Sequence, residues 1–112
     1  MSNALAKKLD DLTSRTGIKV REIAQLLGTR PETVSRWRSG QVEPQRDRLH
    51  RLLMLDYLFY QLLELYRPDE ARLWLFSPNP LLEGRSPAQK IEGDEADSVL
   101  DVIDQLKDGA YI

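Results

Sequence analysis

Apolar residues recur along this chain at helical spacing, interrupted by glycine and proline, and no stretch shows the strict alternation of a half-buried strand. Leu5, Leu9 and Leu12 predict a first helix from about Ala4 to Ser14, ending before Gly17. The segment Val20 to Gly40, VREIAQLLGTRPETVSRWRSG, predicts two short helices around a tight turn. Ala24 is small enough for the second helix to cross close to the first, Gly28 permits the positive φ that ends the first, and Val34 and Trp37 form one buried stripe. Thr29 and Glu32 have the spacing of a capping box, with Pro31 inside the first turn, so the second helix should begin at about Arg30.

After Gly40, Pro44 keeps the next helix from extending backwards. From Arg46 to Tyr66 apolar residues surround most of the helix circumference, which predicts a strut roughly 30 Å long, packed on two sides or forming part of a dimer interface. Beyond Arg67 the prolines and glycines cut the chain into short pieces: a helix over Asp69 to Phe76 opened by Pro68, a rigid Ser77-Pro78-Asn79-Pro80 loop, and a helix opened by Ser86-Pro87 and stopped by Gly93. Asp94 should cap the last helix, about Glu95 to Asp108, with Ala96, Val99, Leu100, Ile103 and Leu106 inward and Gly109 at its C′ position. The expected fold is all-α, with a helix-turn-helix lobe over 5–52, a central helix over 46–66 shared by both lobes, and a small helical C-terminal lobe over 67–112.

With 112 residues, 41% of them hydrophobic and 30% charged, the chain suits one compact unit; without cysteine it has neither disulfides nor thiolate metal sites. The longest apolar stretch is broken by His50, Arg51, Asp56, Gln61 and Glu64, so no membrane partner is expected and a cytoplasmic location is. Met1-Ser2-Asn3-Ala4 reads as a cloning remnant. The formal net charge of −2 conceals a division: residues 1–52 carry 11 Lys/Arg against 6 Asp/Glu, and residues 53–112 carry 5 against 12. A polyanion is drawn to the first half and repelled by the second, unless both imbalances are merely solvated faces.

A helix-glycine-helix hairpin could be an ordinary packed corner, but Arg30, Thr33, Ser35, Arg36 and Arg38 fall on the exposed faces of its second helix, where phosphate and base contacts need them. Thr29 joins this set; Arg46 and Arg48, at the start of the next helix, are candidates for flanking phosphates or simply solvated. Thr33 to Trp37, Gly40 and Pro44 resemble the Xre/Cro-like repressor family. That reading makes operator DNA a partner and a homodimer the expected state, since two half-sites supply affinity and specificity.

Trp74, Asn79, Leu82, Gly84, Ser86-Pro87, Val99, Ile103 and Gly109 resemble the toxin-binding domain of Xre/MbcA/ParS-type antitoxins. The resemblance implies a type II antitoxin that blocks a RES-domain, NAD-consuming toxin and represses the shared operon. Gly84, Arg85, Ser86 and Pro87, with Tyr111 and Ile112 at the chain end, are candidates for specific toxin contact. Asp94, Asp97 and Asp101 are candidates as an acidic surface that suits a cationic nucleotide pocket, or else form a solvated stripe. Trp74 reads as core. One histidine, no cysteine, and no phosphate loop or calcium-loop pattern leave no catalytic, cofactor or metal site to expect. The other reading is a stand-alone Xre-like repressor whose C-terminal lobe dimerises or binds an effector.

Overall fold

In the computed structural model, residues 4–109 are described; they form an all-α fold without strands. The helices are α1 (Ala4–Thr16), α2 (Val20–Leu27), α3 (Pro31–Ser39), α4 (Arg46–Leu62), α5 (Pro68–Phe76), α6 (Pro87–Glu92) and α7 (Ala96–Lys107), with one 3-10 turn over Pro80–Leu82. No described helix is long and apolar enough to cross a membrane. The molecule is elongated, 46 × 24 × 19 Å.

One cluster of buried apolar side chains runs from Leu9 and Leu12 of α1 through Leu26, Val34 and Trp37 to Phe59, Leu75, Val99 and Ile103. Helix α2 packs against α3 on one side and α6 on another, α1 packs against α3 and α5, and α4 packs against α7. Helix α4 buries Leu52, Leu55, Leu58, Phe59 and Leu62, while Leu53, Tyr57 and Tyr60 of the same helix face solvent. The strut therefore has one packed face and one bare apolar face.

The strut is shorter than the apolar pattern predicts. It ends at Leu62, after 17 residues or about 25 Å. From there the chain tightens: the Glu64 and Leu65 N–H groups donate to Gln61 O and Leu62 O, three residues back. Pro68 then forces Arg67 into an extended conformation (φ −69°, ψ 162°), so no helix can continue through it.

Two expected caps are also corrected. Helix α3 takes Arg30 as its N-cap, with φ −99° and ψ 150°, and no side chain caps it. Pro31 at the first helical position sets that register, which places Thr29 one residue too early to form a box with Glu32. Thr29 instead closes α2: its N–H donates to Ala24 O and that of Gly28 to Gln25 O, a Schellman motif with Gly28 at φ 68°. Asp94 does not cap α7. It lies at φ 62°, in the left-handed region, and closes α6 by donating to Ile91 O while Glu95 donates to Lys90 O. Gly93, at φ −84°, does not need its glycine freedom there.

The Ser86-Pro87 start forms as expected. Ser86 Oγ accepts from Gln89 N–H at 3.1 Å, and Gln89 Oε1 accepts from Ser86 N–H at 2.9 Å. Gly109 follows α7 at φ 73°.

Candidate functional site

The hairpin of α2 and α3 divides its candidate residues into three groups. Arg30 at the N-cap of α3, Ser35 and Arg36 on α3 and Arg46 at the start of α4 are exposed, and the three arginines form no ion pair among the described residues. Thr29 and Thr33 are half-buried, beside the turn and in the first turn of α3. Arg38 and Arg48 are engaged within the fold: Arg38 Nε pairs with Asp10 of α1, and Arg48 donates to Asp47 at 2.8 Å and to Gly28 O at 3.3 Å. The structure thus leaves three free cations on and beside the second hairpin helix, and uses the other two to brace it.

Three long-range polar links hold α2 against the second half of the chain. The Glu22 carboxylate receives a two-pronged pair from Arg72 of α5, Nε to Oε1 at 3.1 Å and Nη2 to Oε2 at 2.7 Å. It also accepts from the Lys19 N–H at 2.9 Å. Burial alone would raise the Glu22 carboxyl, but the Arg72 hydrogen bond, the Lys19 N–H and the charges of Arg72 and Arg21 outweigh it, so it titrates below the ordinary range. Gln25 Nε2 donates to Glu92 of α6 at 2.9 Å. Arg51 of α4 reaches between two helix ends, donating to Ile91 O at 2.9 Å, Glu92 O at 3.3 Å, Leu26 O at 3.4 Å and Leu27 O at 3.5 Å.

No local pattern announces these links, since their partners lie 24 to 67 residues apart. The available signal is Arg51 itself, a cation set among Leu49, Leu52 and Leu53, where a long side chain has to find acceptors.

In the C-terminal segment the candidates do not converge on one spot. Gly84 and Arg85 are exposed, but Ser86 and Pro87 are buried and offer little surface. Asp94, Asp97 and Asp101 are all exposed, and they face different hollows. Asp94 and Asp97 line a cleft with His50, Arg51 and Met54 of α4, whereas Asp101 faces the 3-10 turn with Glu83 and Ser98. Trp74 is half-buried and stacks on Tyr66, ring centroids 6.4 Å apart and planes 28° apart, so it is only partly the core residue expected. Tyr111 and Ile112 lie outside the described residues.

Residues 61–109 match the family model for the antitoxin Xre/MbcA/ParS C-terminal toxin-binding domain. The chain is similar to the mycobacterial cidal antitoxin MbcA of Mycobacterium bovis and of Mycobacterium tuberculosis, 37% identical over 110 residues, covering 98% of this chain and 97% of the relative. It is also similar to the probable mycobacterial cidal antitoxin Rv3188 of M. tuberculosis, 27% identical over 107 residues and covering 96% and 91% of the two chains. Among solved structures it matches a chain in the crystal structure of the M. tuberculosis MbcT–MbcA toxin–antitoxin complex, with a TM-score of 0.87, 37% identity, and coverage of 99% of this chain and 100% of that one.

Proposed function

The chain belongs to the Xre/MbcA/ParS antitoxin family, and from that membership we propose that it is the antitoxin of a type II pair, neutralising a RES-domain, NAD-consuming toxin by binding it and repressing its own operon. It works by occupation, without chemistry of its own. The likeness to antitoxins over nearly the whole chain carries this reading. We assign toxin binding to residues 67–112 and DNA binding to residues 5–52, with the segment 46–66 shared by the two.

The operator-binding part draws on Arg30, Arg36 and Arg46, the exposed cations free of internal pairs. With Thr29, Thr33 and Ser35 they form a positive surface around a short helix, the arrangement that phosphate positioning and major-groove readout require. Arg38 and Arg48 would serve DNA only by giving up their present partners. A homodimer paired through Leu53, Tyr57 and Tyr60 of α4 would bring two such surfaces to two half-sites and cover apolar area that is bare in one copy.

The test takes the full chain, the toxin encoded by the adjoining gene and the shared promoter. Co-expression should restore growth of cells producing the toxin, and Arg36→Ala should weaken promoter binding about 5- to 150-fold, the range of about 1 to 3 kcal/mol for a base contact, while leaving growth rescue intact. Failure to bind the toxin ends the antitoxin reading in favour of a stand-alone repressor, for which the exposed Leu65, Leu73 and Leu81 of the second half would be dimer surface. Promoter binding that Arg36→Ala leaves unchanged ends the repressor part.

A further inference from the structure

The loop between α5 and α6 is built around one buried polar residue. Asn79 is only 8% exposed, and its groups close the loop on itself. Its N–H donates to Arg85 O at 3.0 Å, its carbonyl accepts from Leu82 N–H and Gly84 N–H at 3.0 Å each, and its Oδ1 accepts from Leu81 N–H at 2.9 Å. Glu83 at φ 60° and Gly84 at φ 83° complete the closure, the first of them an uncommon conformation for a residue with a side chain. A loop tied in this way loses little conformational freedom when something binds it.

The tied loop buries Leu82 and pushes Leu81 outward. Leu82 is 4% exposed and Leu81 38%. Leu81 lies between two hollows of different character. On one side is a shallow apolar notch of about 360 Å³, walled by Trp74, Pro78, Pro80 and Leu106. On the other, Leu81 borders a groove holding Glu83, Lys90 and Asp101. Lys90 is already paired with Glu95 at 3.1 Å, so Glu83 and Asp101 leave the groove negative.

An apolar knob and notch beside two unpaired carboxylates fit a protein surface that offers an apolar side chain next to Lys or Arg. Resting on the antitoxin reading above, we propose that Leu81 on its Asn79-tied loop is the anchor for the toxin, with the Trp74–Leu106 notch receiving an apolar side chain of the toxin and Glu83 and Asp101 receiving a basic one. This centre differs from the Asp94/Asp97 cleft and the buried Ser86-Pro87 pair to which the linear pattern points.

Titration calorimetry of full-length variants against the toxin of the adjoining gene tests this. Leu81→Asp should lower affinity about 100-fold, the size of an interface hot spot, with unchanged helical circular dichroism and promoter binding. Glu83→Gln with Asp101→Asn should lower it about 5-fold and flatten its salt dependence. Should Leu81→Asp disturb the fold, Leu81→Ala, expected to lower affinity about 10-fold, replaces it. A folded Leu81 variant within about 3-fold of the parent overturns the inference while the antitoxin reading stands; a parent chain that binds no toxin overturns both.

Discussion

The corner between α2 and α3 and the corner between α6 and α7 are closed by the same two backbone hydrogen bonds, but by different residues. At the first, Gly28 takes the left-handed position at φ 68° without a steric cost; at the second, Asp94 takes it at φ 62° with a Cβ in the way. The first corner presents an exposed cationic helix, and the second an acidic one. A relaxed turn thus leads into the cationic helix and a strained one into the acidic helix. Arg51 lies between them, its guanidinium donating to carbonyls at the ends of both α2 and α6. A cation at a helix C-terminus meets the negative end of the macrodipole, and here one cation meets two.

Removing the shared cation is the strongest way to break this symmetry. Arg51→Met keeps the apolar stem but leaves carbonyls of both corners without their donor, and should cost about 2 to 3 kcal/mol, judged from hydrogen bonds to charged groups. Urea unfolding measures it, and hydrogen exchange should show both helix ends opening faster. Next in size is Gly28→Ala. The new Cβ meets only Arg51 Nη1 at 3.6 Å, an ordinary contact, so the cost is the left-handed backbone, about 1 kcal/mol after the stiffer unfolded chain is allowed for. Asp94→Gly should move the other way, stabilising by roughly 0.5 kcal/mol. Its carboxylate is 87% exposed and 4.0 Å from Arg51, so losing that ion pair matters little. If both glycine exchanges shift the melting temperature in the same direction, the strain contrast between the corners is wrong.

The smallest effect is confined to acid. Glu22 titrates below its ordinary value of 4.5, so the unfolded chain takes up its proton first as the pH falls. Its contribution is fully present above about pH 4.5 and disappears as the pH drops through the lower folded value. Arg72→Met should lessen this part of the acid slope and leave the slope between pH 6 and 8 as it was, measured by urea midpoints across pH.

What the linear pattern conveyed well was periodicity and local stereochemistry. The apolar spacing located every long helix, Gly28 marked its turn, and Ser86-Pro87 made the box its residue types call for. What it conveyed poorly was competition between neighbouring rules. Pro31 overrode Thr29 as cap, Asp94 took a turn position while Gly93 beside it did not, and the central helix tightened into three-residue hydrogen bonds after Leu62 although its apolar pattern continued to Tyr66. The site residues were legible only as types. That Arg38 and Arg48 would be tied to α1 and to the α2 turn, and that Arg51 would span two helix ends, depend on partners distant in sequence; that Leu81 rather than Ser86 would stand outward follows from the Asn79-tied loop, whose bonds are local but whose closure no residue pattern announced.

The chain's two tryptophans fall one in each half, Trp37 buried at 4% in α3 and Trp74 half-buried against Tyr66. Each half therefore carries its own optical reporter. With Trp74 replaced by Phe, the indole left behind reports on packing beneath the cationic helix; with Trp37 replaced, emission comes only from the wall of the Leu81 notch. Two single-tryptophan chains turn one fluorescence titration into separate views of what happens at either end of the molecule.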